Sequence, residues 1–427
     1  MSQDIKDTVL QMGAQAVEAA RGLSKLSSDE KNRILLAMAD GLVAATEPIV
    51  AANTKDISAG EAKGLSRAML DRLRLDSDRI AAIADSIRQV ANLPDPVGET
   101  LDEWTQPNGI AIRKMRVPIG VIGIIFESRP NVTSDAAVLC FKSGNATILR
   151  GGSEAIHSNC AIAAALQDSG KAAGLPDHAI QLIPFTDRES VQHLAEMDQH
   201  LDLIIPRGGK GLIETVVSMA RMPVIKHYDG ICHTYVHHDA DLQMAVDITV
   251  DAKTQKPSVC NALETLLVHR DIAPTFLPKA AEALRAAGVE LRVDEATLEI
   301  LSGETDDLVR AQPEDWDAEY LDLILAVKVV NDMAEAIDHI HVHSSQHSDC
   351  IVTPDQAAAE EFMASVDSAA VFWNVSTRFS DGEEFGFGAE IGISTDKLHA
   401  RGPMALPELC SYKYLVVGDG QTKTVKT

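Results

Sequence analysis

Apolar residues follow two rhythms along this chain, and the change from one to the other near Val117 marks its organisation. In the first hundred residues they recur at three and four positions, the spacing of a single helix face. Ser27 followed by Glu30 makes a capping-box pattern, in which hydroxyl and carboxylate each satisfy an orphan N–H, ahead of an apolar run reaching residue 45. A second helix is predicted over 77–91, with Ile80, Ile83, Ala84, Ile87 and Val90 on one stripe and Pro94-Asp95-Pro96 as its stop. Asn108-Gly109, between short alternating segments, predicts a hairpin over 104–117. Two strands alone bury too little to persist, so this hairpin is expected to lean on another surface.

Beyond Val117, short apolar runs alternate with alanine-rich stretches. Strands are predicted at 120–126, 146–149, 180–183, 203–205 and 224–225, with helices over 134–142, 153–173, 188–197 and 211–219. A helical pattern over 241–252 precedes a second set. There, strands are predicted at 265–268, 289–293, 323–330 and 349–352, and helices over 272–287, 332–341 and 354–365, with a strand-like tail at 409–417. Such alternation predicts an α/β fold of parallel sheets with helices on both faces. A chain of 427 residues is expected to form two or three domains.

Composition excludes several functions. The formal charge of -25, from 63 acidic and 38 basic residues, repels nucleic acids and anionic membranes. No nucleic-acid partner is expected, and an anionic substrate would need its own basic site. No apolar run is long enough for a membrane span, and Met1-Ser2-Gln3-Asp4 does not begin a secretory signal. The six cysteines contain no Cys-x-x-Cys pair and no zinc-type cluster. No metal is expected, even with His341, His343 and His347 close together, and the compartment is read as a reducing cytoplasm.

One cysteine differs from the rest. Cys260 lies in Thr254-Gln255-Lys256-Pro257-Ser258-Val259-Cys260-Asn261, a polar segment between a helical pattern and an apolar run. A thiol at an element edge can be surrounded by main-chain N–H groups that stabilise a thiolate and a tetrahedral oxyanion. The alternative is a small apolar side chain packed at a helix end.

Other motifs favour the first reading. Val117-Pro118-Ile119-Gly120 leads through a strand to Glu127-Ser128-Arg129-Pro130-Asn131; then come Ser143-Gly144-Asn145 and Arg150-Gly151-Gly152-Ser153-Glu154. In this order, with Cys260 beyond, they resemble the aldehyde dehydrogenase superfamily. Arg207-Gly208-Gly209-Lys210-Gly211, Gln346-His347-Ser348-Asp349, the stretch 385–394 and Lys397-Leu398-His399-Ala400-Arg401 narrow the resemblance to its acyl-phosphate-reducing branch.

That resemblance implies a Rossmann-like dinucleotide-binding domain (1–103 and 118–252), a catalytic domain (253–405) and a small β oligomerisation flap (104–117 and 406–420). It implies NADPH as cofactor and reduction of L-glutamate 5-phosphate to the semialdehyde and phosphate, by a homo-oligomer that can associate with glutamate 5-kinase. Cys260 matches the nucleophile. Arg150, Ser153 and Glu154 match the adenosine end of the cofactor site, Arg207, Gly208, Gly209 and Lys210 its pyrophosphate, and Glu319 the nicotinamide ribose. Either Ser128 or Asn131 completes the oxyanion hole; Asn131 is preferred because an amide supplies a fixed donor pair. His347, Ser348, His399 and Arg401 are candidates for substrate contact. Water-using relatives have a glutamate in a Glu-Leu-Gly-Gly pattern, whereas Lys226-His227-Tyr228-Asp229-Gly230 has none before its glycine. A thioester that meets phosphate or hydride needs no such base; alternatively His227 or Asp229 does that job from a shifted position.

Overall fold

The computed structural model describes residues 2–303 and 308–423. Two compact units divide the chain: Met1–Lys226 with Phe387–Gly392 and Met404–Thr427, and His227–Gly386 with Ile393–Pro403. The first opens with helices α1 (Ser2–Leu23), α2 (Ser28–Ala44), α3 (Thr46–Ala62), α4 (Arg67–Leu73) and α5 (Ser77–Asn92). The capping box before α2 is formed: Glu30 N–H donates to the Ser27 hydroxyl, and Ser27 N–H to the Glu30 carboxylate at 2.8 Å. The apolar stripe of α5 is buried as its spacing predicts.

There follow β1 (Thr100–Thr105), β2 (Ala111–Pro118), β3 (Val121–Phe126), α6 (Asn131–Lys142), β4 (Ala146–Gly151), α7 (Ile156–Ala173), β5 (Ile180–Leu182), α8 (Glu189–Ala195), β6 (Leu203–Arg207) and α9 (Lys210–Met219). The order β5-β4-β3-β6 is parallel throughout. The winding direction reverses at β3, and a crevice opens beyond the carboxyl ends of strands at such a switch point. The strand expected at 224–225 is reduced to a single parallel bridge, Val224 to Ile204. Pro223 and Ile225 bond the two sides of Ile204, and the chain then leaves the sheet.

The second unit holds β7 (Cys232–Val236), α10 (Leu242–Thr254), β8 (Leu263–His269), α11 (Ala273–Ala286), β9 (Glu290–Val293), α12 (Glu295–Leu301), β10 (Val309–Arg310), β11 (Ile324–Val330), α13 (Met333–His343), β12 (Ser348–Val352), α14 (Gln356–Ser365), β13 (Ala370–Trp373), β14 (Ile393–Ser394) and β15 (Gly402–Pro403). Seven strands form a parallel sheet, β10-β9-β11-β8-β7-β12-β13. Strand β7, absent from the sequence reading, is fully buried inside it. The two compact units meet in sequence at Lys226/His227, whereas the resemblance implies a boundary at 252/253.

Alternation along β8 feeds two cores. Leu266 and Val268 join Phe276 and Leu284, while Leu267 joins Tyr235 and Phe362. Each large apolar side chain so buried contributes about 1.5–3 kcal/mol. Leu263 shares the cluster of Leu266 despite odd spacing, because the β7–β8 register slips between Cys232 and His233 and leaves Glu264 as an extra residue.

Strand β16 (Cys410–Val417) returns to the first unit and pairs with β2 from Cys410↔Pro118 to Val417↔Ala111. The predicted hairpin thus rests on a third strand of its own chain, in the order β1-β2-β16. Its turn is closed by Gly109 at φ +85, a conformation glycine adopts without strain.

Candidate active site

In the first unit the loops after β3, β4 and β6 converge because their strands are neighbours. The loop after β3 turns at Ser128, whose φ of +46 is rare for a residue with a Cβ. Its N–H and hydroxyl both donate to Glu154 Oε1, the hydroxyl at 2.9 Å. Glu127 accepts from Gly209 N–H at 3.2 Å, and a Cβ on Gly208 would lie 2.4 Å from the Glu127 carboxylate. A Cβ on Gly209 or Gly211 meets nothing within 4 Å, so the N-terminus of α9 has open space before it. The helix dipole favours an anion there. Glu127, Ser128, Ser153 and Glu154 line a cleft of about 480 Å³ with Asp56, Lys63 and His157. The helix end, the cleft and its ribose-type carboxylates fit a dinucleotide.

Arg150 is turned away from solvent, only 8% exposed. Its guanidinium donates to Gly151 O at 3.2 Å and Thr186 O at 3.0 Å, and it is not among the residues lining the cleft. Asn131 opens α6, and its amide donates to Asp135 at 2.8 Å. Burial raises the Asp135 carboxyl to about 6, against the opposing influence of that bond and of Arg207.

In the second unit the candidates gather at the amino ends of β7, β8 and β12. Cys260 is half-buried in the turn before β8. Its neighbour Asn261 donates to Ser380 O at 3.0 Å, accepts from Arg378 through its side-chain oxygen, and accepts from the Thr377 hydroxyl at 2.8 Å through its main chain. Gly230, just before β7, is seated against this turn: a Cβ there would lie 2.0 Å from Cys260 O and 2.4 Å from its Cα. Gly230 N–H donates to Glu319 at 2.8 Å. The Cys232 thiol donates to Cys260 O at 3.2 Å, and burial pushes that thiol well above its ordinary range. Burial likewise raises Cys140, Cys350 and Cys410 to about 12, which makes them inert packing groups.

His347 precedes β12 and Ser348 begins it; both are buried, with His347 Nδ1 2.8 Å from the Ser348 hydroxyl and 3.9 Å from the Cys232 sulfur. His347 also makes an edge contact with His227, whose Nδ1 meets Ile393 O at 3.0 Å. Arg401 is committed to Asp367, donating to its carboxylate at 2.6 Å and its main-chain oxygen at 2.8 Å. Lys397 binds the same carboxylate, and these two partners hold it down to about 2. His399 lies on the loop they close, between β14 and β15. His341 and His343 turn to Ser365 and Asp317 respectively, away from any common site with His347. Gly230, Lys253 and Glu264 were not singled out from sequence; the glycine after Asp229 was the one available sign.

Residues 2–298 match the model of the aldehyde dehydrogenase family. Over its whole length the chain is similar to two proteins named gamma-glutamyl phosphate reductase. That of Geotalea daltonii is 52% identical across 98% of this chain and 99% of its own, and that of Opitutus terrae 54% across 99% and 100%. The crystal structure of the Thermotoga maritima gamma-glutamyl phosphate reductase superimposes with a TM-score of 0.95 at 44% identity, covering 97% of this chain and 100% of that one. The chain belongs to the aldehyde dehydrogenase family, in its gamma-glutamyl phosphate reductase branch.

Proposed function

We propose that this chain reduces L-glutamate 5-phosphate with NADPH to L-glutamate 5-semialdehyde and phosphate, the second step of proline synthesis from glutamate. The observation that carries the reading is a half-buried thiol in a turn fixed on both sides, in a chain similar end to end to proteins named for that reaction. The Cys260 thiolate attacks the γ-carbonyl carbon, and the C–O bond to phosphate breaks to leave a thioester on Cys260. A nicotinamide cofactor, when bound, would supply a hydride to the thioester carbonyl carbon. Collapse of the resulting thiohemiacetal returns the thiolate and releases the aldehyde. Main-chain N–H of Cys260 and the Asn131 amide hold the oxyanion, each such donor being worth about 3–4 kcal/mol. Asp135 takes one amide hydrogen of Asn131 and so aims the group, while the second serves the oxyanion.

Lys210 and the α9 N-terminus hold the pyrophosphate, and Glu319 the nicotinamide ribose. Arg150, tied to two carbonyls, supports the end of β4. Lys63 and His157, the basic side chains of the cleft, suit a 2′-phosphate. His347, Ser348 and His399 remain the candidates for substrate contact, since Arg401 closes a loop. Tyr412, Tyr414 and Val416 are exposed on the edge strand β16, and a second copy of the chain covers them in a homo-oligomer.

Semialdehyde-dependent reduction of NADP tests the reaction in reverse. It should require phosphate or arsenate, because no glutamate precedes Gly230 in Lys226-His227-Tyr228-Asp229-Gly230 to activate water against the thioester. Rapid phosphate-independent formation of glutamate would place the chain among the water-using oxidisers instead.

A further inference from the structure

A buried ion pair stands behind the Cys260 turn, and the reaction as written does not use it. Lys253 Nζ, in the last turn of α10, lies 2.6 Å from Glu264 Oε2, and both side chains are 0% exposed. Burial pushes the Glu264 carboxyl up and the Lys253 ammonium down. Replacing such a pair with apolar residues is often neutral or stabilising, so stability alone does not account for it. Glu264 is also the extra residue where the β7–β8 register slips, and bulges beside active sites serve to re-aim a side chain.

Its second oxygen shows where it is aimed. Glu264 Oε1 accepts from Leu321 N–H at 3.3 Å, and Leu321 is held at φ +54. The two residues before Leu321 are anchored as well. The Tyr320 ring faces Lys253 at 5.8 Å and Arg292 at 5.0 Å, and its hydroxyl donates to Asp315 at 2.9 Å. Glu319 takes the N–H of Gly230, the residue seated on the Cys260 main chain. One side of this loop is therefore fastened to the thiol's turn and the other to the ion pair.

We infer that Glu264, held in place by Lys253, is a positioning residue for hydride transfer, keeping the loop of Glu319 in fixed register with the Cys260 turn. The inference rests on the proposed function, in which Glu319 meets the nicotinamide ribose. A displacement of about 1 Å between hydride donor and acceptor costs about a hundredfold in rate.

Two charge-free double variants of the full chain separate positioning from stability. Lys253→Met/Glu264→Gln keeps an oxygen for Leu321 N–H; Lys253→Met/Glu264→Leu removes it. The first should keep more than half of the wild-type kcat. The second should lose about tenfold to a hundredfold, with a larger primary isotope effect from deuterated NADPH. Iodoacetamide should label Cys260 at the wild-type rate in both, because Asn261 is held separately by Ser380, Arg378 and Thr377. Leu321→Gly, which glycine's tolerance of positive φ keeps folded, should raise the isotope effect even if the Leu double variant fails to fold. Equal kcat in the two doubles, labelling that falls in step with kcat, or an unchanged isotope effect in Leu321→Gly would each overturn the inference. A wild-type protein without phosphate-dependent activity would overturn the proposed function itself, which the variants cannot mimic.

Discussion

In the first unit the candidate residues follow the carboxyl ends of β3, β4 and β6, whereas in the second they precede the amino ends of β7, β8 and β12. The two edges solve different problems. A loop leaving a parallel strand runs into a helix N-terminus, whose N–H groups are already aimed at a ligand. Glycines at 209 and 211 keep that space open, and little else is required. A loop entering a strand has no such ready donors. The Cys260 turn is instead held by side chains and close packing: Asn261, Thr377, Arg378, Glu319 and the bare Cα of Gly230. The first edge is an open cradle and the second a clamped one.

Removing the proposed nucleophile makes the sharpest break between them. Cys260→Ser should lower turnover by about a thousandfold or more, since the covalent intermediate is lost. In the proposed function most cofactor contacts lie at the other edge, so fluorescence titration with NADPH should return a Kd close to wild type. Turnover within tenfold of wild type would mean that another group attacks the carbonyl.

A matched pair of glycine variants sharpens the contrast. At Gly230 a methyl group would overlap the Cys260 main chain, so Gly230→Ala should shift the thiol and lower kcat by about a hundredfold while cofactor affinity holds. At Gly209 the same methyl enters empty space, and the φ of -69 suits alanine. Gly209→Ala should therefore leave Tm within a few degrees but raise the Kd for NADPH about tenfold by crowding an anion at the helix end. The opposite pattern, with Kd moving at 230 and kcat at 209, would refute the assignment of the two edges.

The same difference decides what could be read from sequence. Glycines that make room cluster locally, so the open space before α9 is legible in the glycines at 208, 209 and 211. The clamp is made by residues far apart in sequence. Lys253 and Glu264 sit in a helix and an apolar strand run, and only the slip in register reveals that Glu264 departs from the alternation. Strand β7 was missed because Cys232-His233-Thr234 reads as polar, although the sheet buries all three. The tie of Arg401 to Asp367 is equally hidden in the sequence, since that partner is one acid among 63 and nothing local links the two. The register of parallel strands brings such pairs together, and a single sequence does not display it.

The smallest effect concerns one carboxyl at the open edge. Among the described residues Asp135 has no directly bonded cation: burial raises it from an ordinary 3.8 to about 6, and the Asn131 amide and the influence of Arg207 only partly offset this. Glu264, at the clamped edge, is bonded to Lys253. Because the folded chain holds the Asp135 proton more tightly than the unfolded one, this group's contribution to stability is complete below pH 3.8 and declines as pH rises to about 6. Asparagine at 135 does not titrate, yet its carbonyl still accepts the Asn131 amide. The stability of wild type relative to Asp135→Asn should therefore fall between about pH 4 and pH 6 and stay level above pH 7. Urea titrations of both proteins across that range measure the difference directly. A flat difference would mean that Asp135 is solvated well enough to titrate normally, and that the Asn131 amide, the proposed oxyanion donor, is aimed by an ordinary ionised carboxylate.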